Sequence, residues 1–442
     1  MSSTVPTMNH DQAFWLPYTA NRAFWKSPRV IKAARGHYYT AEDGQQLLDA
    51  FSGLWTSGLG HCHPAIVSAV QEQVATLDYS MGFQVTNDRA IALAREVADL
   101  APAGLDRVFF TNSGSESADT ALKIALAYHR ARGEGQRTRL IGRERGYHGV
   151  NFGGMSVGGI PGNRKVFSAT LLPGVDHIRH TYSHADMAFT RGQPTWGCDL
   201  AEDLERLVGL HDASNIAALI VEPVSGSTGI LVPPIGYLQR LREICDKYGI
   251  LLIFDEVITA FGRVGAPFAS ARFGVTPDII TTAKGLTNGV VPMGAVIVRE
   301  EVYQALMQGP DSAVELFHGY TYSGHPLAAA AGLATMKVYR EEDSFARARA
   351  LEPIFEETIH ALKGEPHVID IRNFGLMGGI ELAPRSGAPG ARGYEVFLKC
   401  FEAGVVIRNG GDILQFSPFL DSTPDELTRI FETVREALRA VA

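Results

Sequence analysis

Between residues 107 and 300 the chain alternates short apolar runs with helical patterns. Helices are predicted from Ser115 and over Tyr237 to Lys247, and the apolar runs are RVFFT, AALIVE, LLIFDE, DIIT and GAVIV. Continuous β-branched runs separated by helices indicate a mostly parallel sheet that is buried on both faces. The sequence therefore predicts an α/β fold, with a large domain built on a mostly parallel, mixed sheet between helices.

Sequence on either side of this alternation predicts two further units. The 442 residues exceed one ordinary domain. An Ala-rich helix, HPLAAAAGLATMKVYR, is followed by the runs HVIDIR, GLMGGIEL, VVIR and ILQFS and by a last helix from Pro424, which indicates a small α+β domain. We predict an N-terminal arm that joins the small domain, a large domain and a small domain over residues 1–60, 61–325 and 326–442.

Composition excludes several classes of protein. The net charge is −8 and the charged residues are scattered, which argues against a nucleic-acid or anionic-membrane surface and favours a small soluble substrate. No apolar run is long enough for a bilayer, and the first residues do not resemble a signal peptide, so we expect a cytoplasmic protein. The four cysteines lack CxxC spacing and suit a reducing compartment. His61-Cys62-His63 has no second ligand pair, so no metal site is predicted.

Polar residues follow several of the predicted strands. Ligands of such sheets bind beyond the carboxyl ends of the strands, which makes Thr111, Glu222 and Asp255 the first candidates for a site. The segment Ser113-Gly114-Ser115 opens a helix after RVFFT, where backbone N–H groups and the helix dipole can meet a phosphate. An ordinary capped helix start is the alternative interpretation of this segment.

Asp255 and Lys284 predict cofactor chemistry when they are taken together. An unpaired carboxylate at Asp255 would be costly in its apolar surroundings, and a protonated pyridine nitrogen is a suitable partner. Lys284 lies among small residues in TTAKGLTNG, where partial burial would lower its pKa and make it a nucleophile. Alternatively, Asp255 simply ends a strand and Lys284 is a solvated surface lysine.

Six segments resemble, in order, those of the class III aminotransferases of the type I pyridoxal-phosphate fold. They are SGSESADTALKIA, GYHG, EPVSGSTGILVPP, LLIFDEVITAFGRVG, DIITTAKGLTNGVVPMGAVIV and YTYSGHPLAAAA. The resemblance extends from about residue 20 to the C-terminus and is greatest to the omega-amino-acid:pyruvate (beta-alanine:pyruvate) transaminases. It implies pyridoxal 5'-phosphate as the cofactor and a homodimer with shared active sites, with a dimer of dimers as a further option.

The resemblance also implies a role for each matching residue. Lys284 is the Schiff-base lysine, and Asp255 pairs with the pyridinium nitrogen. Tyr147 stacks on one face of the cofactor ring, with Val257 against the other. The remaining implied cofactor contacts are Ser113, Gly114 and Ser115 at the phosphate, Thr321 of the partner subunit, and Glu222.

Arg408 is the predicted carboxylate-binding residue on the substrate side. A guanidinium at the end of the VVIR strand can bind a carboxylate bidentately, although a surface ion pair is the alternative. The family resemblance implies the carboxylate role and places Gln415 in contact with the substrate. Ser227 stands where ornithine- and gamma-aminobutyrate-type relatives carry a glutamate that engages this arginine. We therefore expect Arg408 to be free for the carboxylate of pyruvate.

Two aromatic residues match pocket positions of the same group. Trp55 lies in GLWTSG, and Phe83 in SMGFQ is expected to reach across the dimer. Together with Tyr147 they would form an aromatic pocket for small amines, although core packing is the alternative for each.

The predicted reaction is a ping-pong transamination. An omega-amino acid or small amine, either beta-alanine-like or arylalkyl, would give its amino group to the cofactor, and pyruvate would take it to form alanine. Four alternatives stay open: an aminomutase, a decarboxylating enzyme, a class III aminotransferase that uses 2-oxoglutarate, and a non-catalytic protein that keeps the fold.

Overall fold

A seven-stranded sheet lies at the centre of the protein, which is described here by a computed structural model covering residues 13–441. The strands of all three sheets in the described residues are β1 (Ile31–Arg35), β2 (Tyr38–Ala41), β3 (Gln46–Asp49), β4 (Arg107–Thr111), β5 (Arg139–Arg143), β6 (Val175–Ile178), β7 (Ile216–Val221), β8 (Leu251–Asp255), β9 (Ile279–Thr282), β10 (Gly294–Val298), β11 (Val368–Phe374), β12 (Met377–Leu382), β13 (Val405–Val406), β14 (Arg408–Gly410) and β15 (Ile413–Phe416).

Helices pack on this sheet and also occur in the segments before and after it. They are α1 (Asn21–Phe24), α2 (Ser52–Trp55), α3 (Pro64–Thr76), α4 (Asp88–Leu100), α5 (Gly114–Ala131), α6 (Phe152–Val157), α7 (Pro161–Arg164), α8 (His184–Met187), α9 (Asp203–His211), α10 (Tyr237–Tyr248), α11 (Ala269–Phe273), α12 (Glu300–Leu306), α13 (Pro326–Glu341), α14 (Ser344–His360), α15 (Ala391–Glu402) and α16 (Pro424–Ala440).

The central sheet has the order β4-β10-β9-β8-β7-β5-β6. Its neighbours from β9 through β6 are parallel, whereas β10 is antiparallel to both β9 and β4. Every residue of β7, β8 and β9 is buried, which explains their continuous apolar sequences. The predicted α/β fold with a mostly parallel, mixed sheet is confirmed.

Alternate residues of the central strands pack into two different cores. Ile253 of β8 packs with Ala121 of α5 on one face. Its neighbours Leu252 and Phe254 pack with Leu241 of α10 on the other. Because successive side chains of a strand point to opposite faces, one apolar run supplies both layers of helices.

Two smaller sheets lie outside the central one. One has the order β1-β2-β3-β13, in which β13 is parallel to β3 and ties the N-terminal segment to the C-terminal part of the chain. The other has the order β11-β12-β15-β14 and is antiparallel throughout. Within the first of these sheets, β2 and β3 are antiparallel neighbours and form a hairpin. The domain boundaries near residues 60 and 325 stay a prediction.

The predicted VVIR strand is wrong in one respect. The chain divides it into β13, which pairs with β3, and β14, which begins at Arg408 and pairs with β15. Because the two pieces belong to different sheets, the chain must change direction at the buried residue Ile407. Arg408 therefore begins a strand rather than ending one.

Three further observations limit what else the protein contains. Over residues 13–441, no helix has both the length and the apolar character needed to cross a membrane. The same residues hold no group of three or more side chains arranged to bind a metal ion. His61 instead contacts Asp49, with 3.0 Å between Nε2 and Oδ2, and all four cysteines are free.

Candidate active site

A cavity of about 330 Å³ lies at the carboxyl ends of the central strands. The chain enters it after β4, β7, β8 and β9, as expected for an open α/β sheet. Thr111 is not part of the lining, because its hydroxyl is paired with that of Ser117 at 2.7 Å. The cavity brings together eight of the predicted site residues: Ser113, Gly114, Ser115, Tyr147, Glu222, Asp255, Val257 and Lys284.

Lys284 follows β9 directly and begins a 3₁₀ turn with a left-handed backbone, φ 47°. Burial lowers the pKa of its ammonium to about 8, although Asp255 and Glu222 act to raise it. A lysine with such a pKa is partly neutral near physiological pH and can attack a carbonyl. Lys284 therefore lies partly buried in the cavity wall, and its chemical role stays a prediction.

Asp255 ends β8 and is 5 % exposed. Its Oδ2 lies 2.8 Å from Nδ1 of His148, and its Oδ1 accepts a hydrogen bond from the backbone N–H of Val257 at 3.1 Å. The sequence analysis expected a cation beside Asp255 but did not assign His148 any role. The contact joins residues 107 positions apart, so the local sequence around His148 does not indicate it.

The Ser113-Gly114-Ser115 segment at the start of α5 is both a capped helix start and a suitable site for an anion. Ser113 caps the helix by accepting a hydrogen bond from the backbone N–H of Glu116 at 3.2 Å. A Cβ atom on Gly114 would lie 2.9 Å from Cγ1 of Val257, so no larger residue fits there without movement. The helix N-terminus thus faces the cavity with backbone N–H groups and small side chains, as an anion site requires.

Glu222 supports the loop that carries Tyr147. Its carboxylate accepts hydrogen bonds from the backbone N–H groups of Tyr147, at 2.9 Å, and Gly226, at 3.1 Å. Burial raises the pKa of Glu222. The loop is fixed a second time, because Ser115 Oγ accepts a hydrogen bond from the backbone N–H of Val150 at 3.1 Å. The loop that carries Tyr147 is therefore hydrogen-bonded directly to the start of α5.

Tyr18 is a residue of this region that the sequence analysis missed as a site residue. It lies in the N-terminal arm, where its hydroxyl acts electrostatically on that of Tyr147. Burial, together with Tyr18, raises the pKa of the Tyr147 hydroxyl to about 12, so the phenol of Tyr147 is neutral at physiological pH. An exposed arm residue carries no sequence signal for such a contact, since the contact is formed only by the folded chain.

Arg408 lies beside the cavity without a carboxylate partner. Its guanidinium carbon is 5.1 Å from the ring centre of Trp55 and 5.7 Å from that of Phe51. Among residues 13–441, it forms no salt bridge with an acidic side chain, and burial lowers its pKa. The ring of Trp55 is also 5.9 Å from Nζ of Lys284, and its buried indole N–H has no hydrogen-bond partner in the described chain. A carboxylate would satisfy these groups.

Gln415 and Ser227 form a support beneath Arg408. Gln415 is opposite Arg408 in the β14–β15 register and is fully buried. Its Nε2 donates to the backbone oxygen of Ser227 at 3.1 Å, and its Oε1 has no partner within the described residues. If Gln415 contacts a substrate as expected, its Oε1 is the side-chain atom that remains available to accept a hydrogen bond.

Phe83 and Thr321 lie outside this cavity. Phe83 is 56 % exposed, and Thr321 is exposed and accepts a hydrogen bond through its backbone oxygen from the hydroxyl of Tyr79 at 2.9 Å. The sequence analysis expected both to act on the site of a partner subunit. The single chain does not bring either residue to Lys284.

The sheet, the buried lysine and the aspartate at a strand end define an enzyme of the type I pyridoxal-phosphate fold. The chain belongs to the class III aminotransferases, because the family model "Aminotransferase class-III" matches residues 20–438. It is 58% identical to an omega-aminotransferase of Caulobacter vibrioides, with 98% of each chain covered. It is 53% identical to a beta-alanine--pyruvate aminotransferase of Pseudomonas aeruginosa, with 98% of this chain and 96% of the relative covered.

Solved structures resemble the whole chain. An omega transaminase from Pseudomonas jessenii in complex with PMP has a TM-score of 0.92 at 32% identity, with 97% of each chain covered. A PLP-bound amine transaminase from an uncultivated Pseudomonas species has a TM-score of 0.89 at 33% identity, with 97% of this chain and 99% of that chain covered. Pyridoxal phosphate is the cofactor of this family. Its requirements are met by the lysine of lowered pKa, the oriented carboxylate of Asp255 and the open helix N-terminus.

Proposed function

We propose that this aminotransferase transfers the amino group of an omega-amino acid or small amine to pyruvate and so forms alanine. The observation that carries the proposal is Arg408, a half-buried guanidinium that has no acidic partner among the described residues and lies beside Trp55 and near Lys284. A bound 2-oxo acid would offer its carboxylate to Arg408 and its carbonyl to the cofactor side. The similarity to omega-aminotransferases and a beta-alanine--pyruvate aminotransferase supports the same reaction.

Different residues of the cavity bind different parts of the cofactor. Ser113, Gly114 and Ser115 hold the phosphate, and Asp255 pairs with the pyridinium nitrogen. Tyr147 and Val257 flank the ring, and Glu222 fixes the loop of Tyr147. When bound, the cofactor supplies an electron sink for the carbanion of the amine donor.

Lys284 performs the proton transfers. It would hold the cofactor covalently, and as a free, neutral amine it would take up the proton of the donor carbon. The lowered pKa of Lys284 suits it as a general base near neutral pH. The same nitrogen returns a proton when pyruvate is converted to alanine, so one side chain serves both halves of a ping-pong reaction.

The donor is a beta-alanine-like acid or an arylalkyl amine. One arginine binds the carboxylate of an acid donor or of pyruvate in alternate half-reactions. For an amine without a carboxylate, Trp55 and the aromatic ring of Tyr147 offer apolar surface instead. Ser227 leaves Arg408 available, since its only described contact in this region is its backbone oxygen to Gln415.

The active form is a homodimer with shared sites, with a dimer of dimers as a further option. An exposed apolar surface supports it, which we call the aromatic face: Tyr79, Phe83, Phe317 and Tyr322. The ring centres of Tyr79 and Tyr322 are 6.0 Å apart, and Phe317 is 90 % exposed in the single chain. Contiguous exposed apolar side chains of this kind mark interaction sites. Thr321 lies in the same segment, which would carry it and Phe83 to the partner's cavity.

We also propose a cytoplasmic location. The four cysteines support it, because all of them are free thiols, as in a reducing compartment.

Half-reactions with single amines test the proposed function. The purified, cofactor-loaded protein is mixed with one amine at a time, and the loss of its visible absorption is followed. Pyruvate should then restore the absorption and yield one alanine for each site. Restoration by 2-oxoglutarate alone, release of carbon dioxide, or an isomerised amine without alanine would each contradict the proposal. A protein that stays colourless with added pyridoxal phosphate would contradict it too.

A further inference from the structure

His148 and Asp255 form a buried pair that the proposed reaction does not use. The two side chains are 0 % and 5 % exposed, and 2.8 Å separates Nδ1 of His148 from Oδ2 of Asp255. Such a contact deep in a protein is costly unless the two groups are well matched. His148 also directly follows Tyr147, so the same loop supplies a ring-flanking residue and a partner for the aspartate.

The surroundings determine which atom donates. A carboxylate can only accept, so Nδ1 of His148 carries the hydrogen and donates to Asp255. Nε2 of His148 is buried and has no partner in the described chain. A hydrogen on Nε2 would be a buried, unsatisfied donor, and the space beside it is narrow, because a Cβ on Gly146 would lie 3.2 Å away. Nδ1 is therefore the ring nitrogen of His148 whose hydrogen is satisfied by a partner.

Asp255 is fixed by this donor and by one other. The backbone N–H of Val257 donates to Oδ1, while His148 donates to Oδ2. Each oxygen keeps acceptor capacity for a further donor in the cavity. Glu222 and Lys284 also face this region, and the electrostatic influence of His148 reaches Glu222 and His177. Of the two cavity carboxylates, Asp255 alone receives a side-chain donor.

We propose that His148 is a positioning residue that holds Asp255 as an oriented carboxylate toward the pyridinium nitrogen of the cofactor. The proposal rests on the cofactor role assigned to Asp255 above. Without the Nδ1–H donor, Asp255 would lose one of its two constraints and part of the stabilisation of its charge. The protein should then bind the cofactor less tightly, even when no amine substrate is present.

Release of pyridoxal phosphate tests this proposal without turnover. His148→Phe removes the donor and keeps a ring, whereas His148→Asn places an amide N–H near the position of Nδ1. We expect the phenylalanine variant to release cofactor about ten- to hundredfold faster, as for loss of a hydrogen bond to a charged group. The asparagine variant should stay within about threefold of the wild type. Equal release from both variants would overturn the proposal.

A second variant covers the case in which the phenylalanine protein does not fold. His148→Gln places its amide nearer the position of Nε2, so it should release cofactor as fast as the phenylalanine variant. The visible spectrum adds a further readout. The pH dependence of the absorption should shift in His148→Phe and His148→Gln, which place no donor at the position of Nδ1, and should not shift in His148→Asn. An unshifted profile in His148→Gln would contradict the proposal.

Two controls separate positioning from a loss of packing. His129 is equally buried and pairs with the backbone oxygen of Ala217 at 2.9 Å, away from the cavity, so His129→Phe should leave cofactor release unchanged. In an Asp255→Asn background, His148→Phe should add little further release. A full effect in that background would mean that His148 does not act through Asp255. Failure with pyruvate as acceptor would bear on the proposed function alone, since cofactor release needs no substrate.

Discussion

At the scale of single residues, the lowered pKa of Lys284 leads to a prediction about cofactor uptake. Only the neutral amine attacks the aldehyde of pyridoxal phosphate. Because burial sets the pKa of Lys284 at about 8, the neutral fraction of the cofactor-free protein rises with pH through that value. The initial rate of covalent uptake should rise from about pH 6 through about pH 8 and level off above about pH 9.

Stopped-flow absorption of the bound cofactor measures this uptake. Lys284→Ala should form no covalent complex at any pH and should lose turnover in both half-reactions. Lys337 is exposed on α13 and serves as the matched control, since Lys337→Ala should behave as the wild type. A rate that keeps rising beyond about pH 10, the range of an ordinary lysine, would show that burial does not lower the pKa.

Arg408 carries a prediction about pyruvate. Arg408→Ala should raise KM for pyruvate about tenfold to a hundredfold, since a hydrogen bond to a charged group is lost. The rate of the half-reaction with an arylalkyl amine should change far less, because that donor has no carboxylate. Arg408→Lys should restore pyruvate binding only in part, as an ammonium cannot bind a carboxylate through two parallel hydrogen bonds.

Half-reaction kinetics of each variant with pyruvate and with the amine give these constants. Arg349→Ala alters an exposed arginine of α14 and is the control. An equal loss for both substrates would instead assign Arg408 a role in holding the pocket together.

At the scale of elements, His37 fastens the N-terminal segment to α16. Its ring lies 3.0 Å from Asp421 and 2.9 Å from Glu426, and it stacks on Phe419 at 4.3 Å. Burial acts to lower the pKa of His37, but the two carboxylates overcome this and raise it to about 9. The charged imidazole therefore stabilises the fold most fully below about pH 6.5, and this contribution is lost as the pH rises through about 9.

Thermal unfolding at several pH values tests this attachment. Raising the pH from about 6.5 to about 9 should lower the free energy of unfolding by up to about 3 kcal/mol through His37. His37→Gln should be less stable at low pH and should lose most of this dependence. His63→Gln, which removes a more exposed histidine paired with Glu342, is the control. An unchanged dependence in His37→Gln would contradict the assignment.

Elements could be predicted from sequence where burial determines their composition. The runs that form β7, β8 and β9 are apolar throughout because both faces are covered, and Pro424 after Thr423 indicates the start of α16. The direction of β10 could not be predicted, since a buried strand has the same composition whether it is parallel or antiparallel. Nor could the break at Ile407, because it depends on which sheet each half joins.

The candidate site was predictable only where a residue stands in its own motif. Asp255 and Lys284 each end an apolar run, so the sequence marks them as site residues. His148 is 107 positions from Asp255, and nothing local signals that the two will meet. Tyr18 was missed for the same reason, since its contact with Tyr147 joins the arm to the large domain.

At the scale of the whole molecule, the aromatic face predicts the state of assembly. Phe317→Asp would place a charge in a dry interface, so it should shift a dimer toward monomers. Activity should fall with it, because Thr321 lies in the same segment. Light scattering over a range of concentrations, with activity measured on the same samples, gives both quantities.

Leu210 on α9 provides the control for this prediction. It is 67 % exposed but belongs to a different part of the surface, so Leu210→Asp should keep the assembly of the wild type. A Phe317→Asp protein that stays dimeric and active would place the interface elsewhere.

The left-handed backbone of Lys284 has a consequence for stability. A non-glycine residue with φ 47° is disfavoured by about 1–2 kcal/mol, and the same residue also carries a buried ammonium. The catalytic position is thus one where glycine would suit the fold better, which is a trade-off between activity and stability. Cofactor-free Lys284→Gly, although inactive, should melt several degrees above the cofactor-free wild type in calorimetry. In the wild type, binding of the cofactor would then offset the free-energy cost of the left-handed backbone at Lys284.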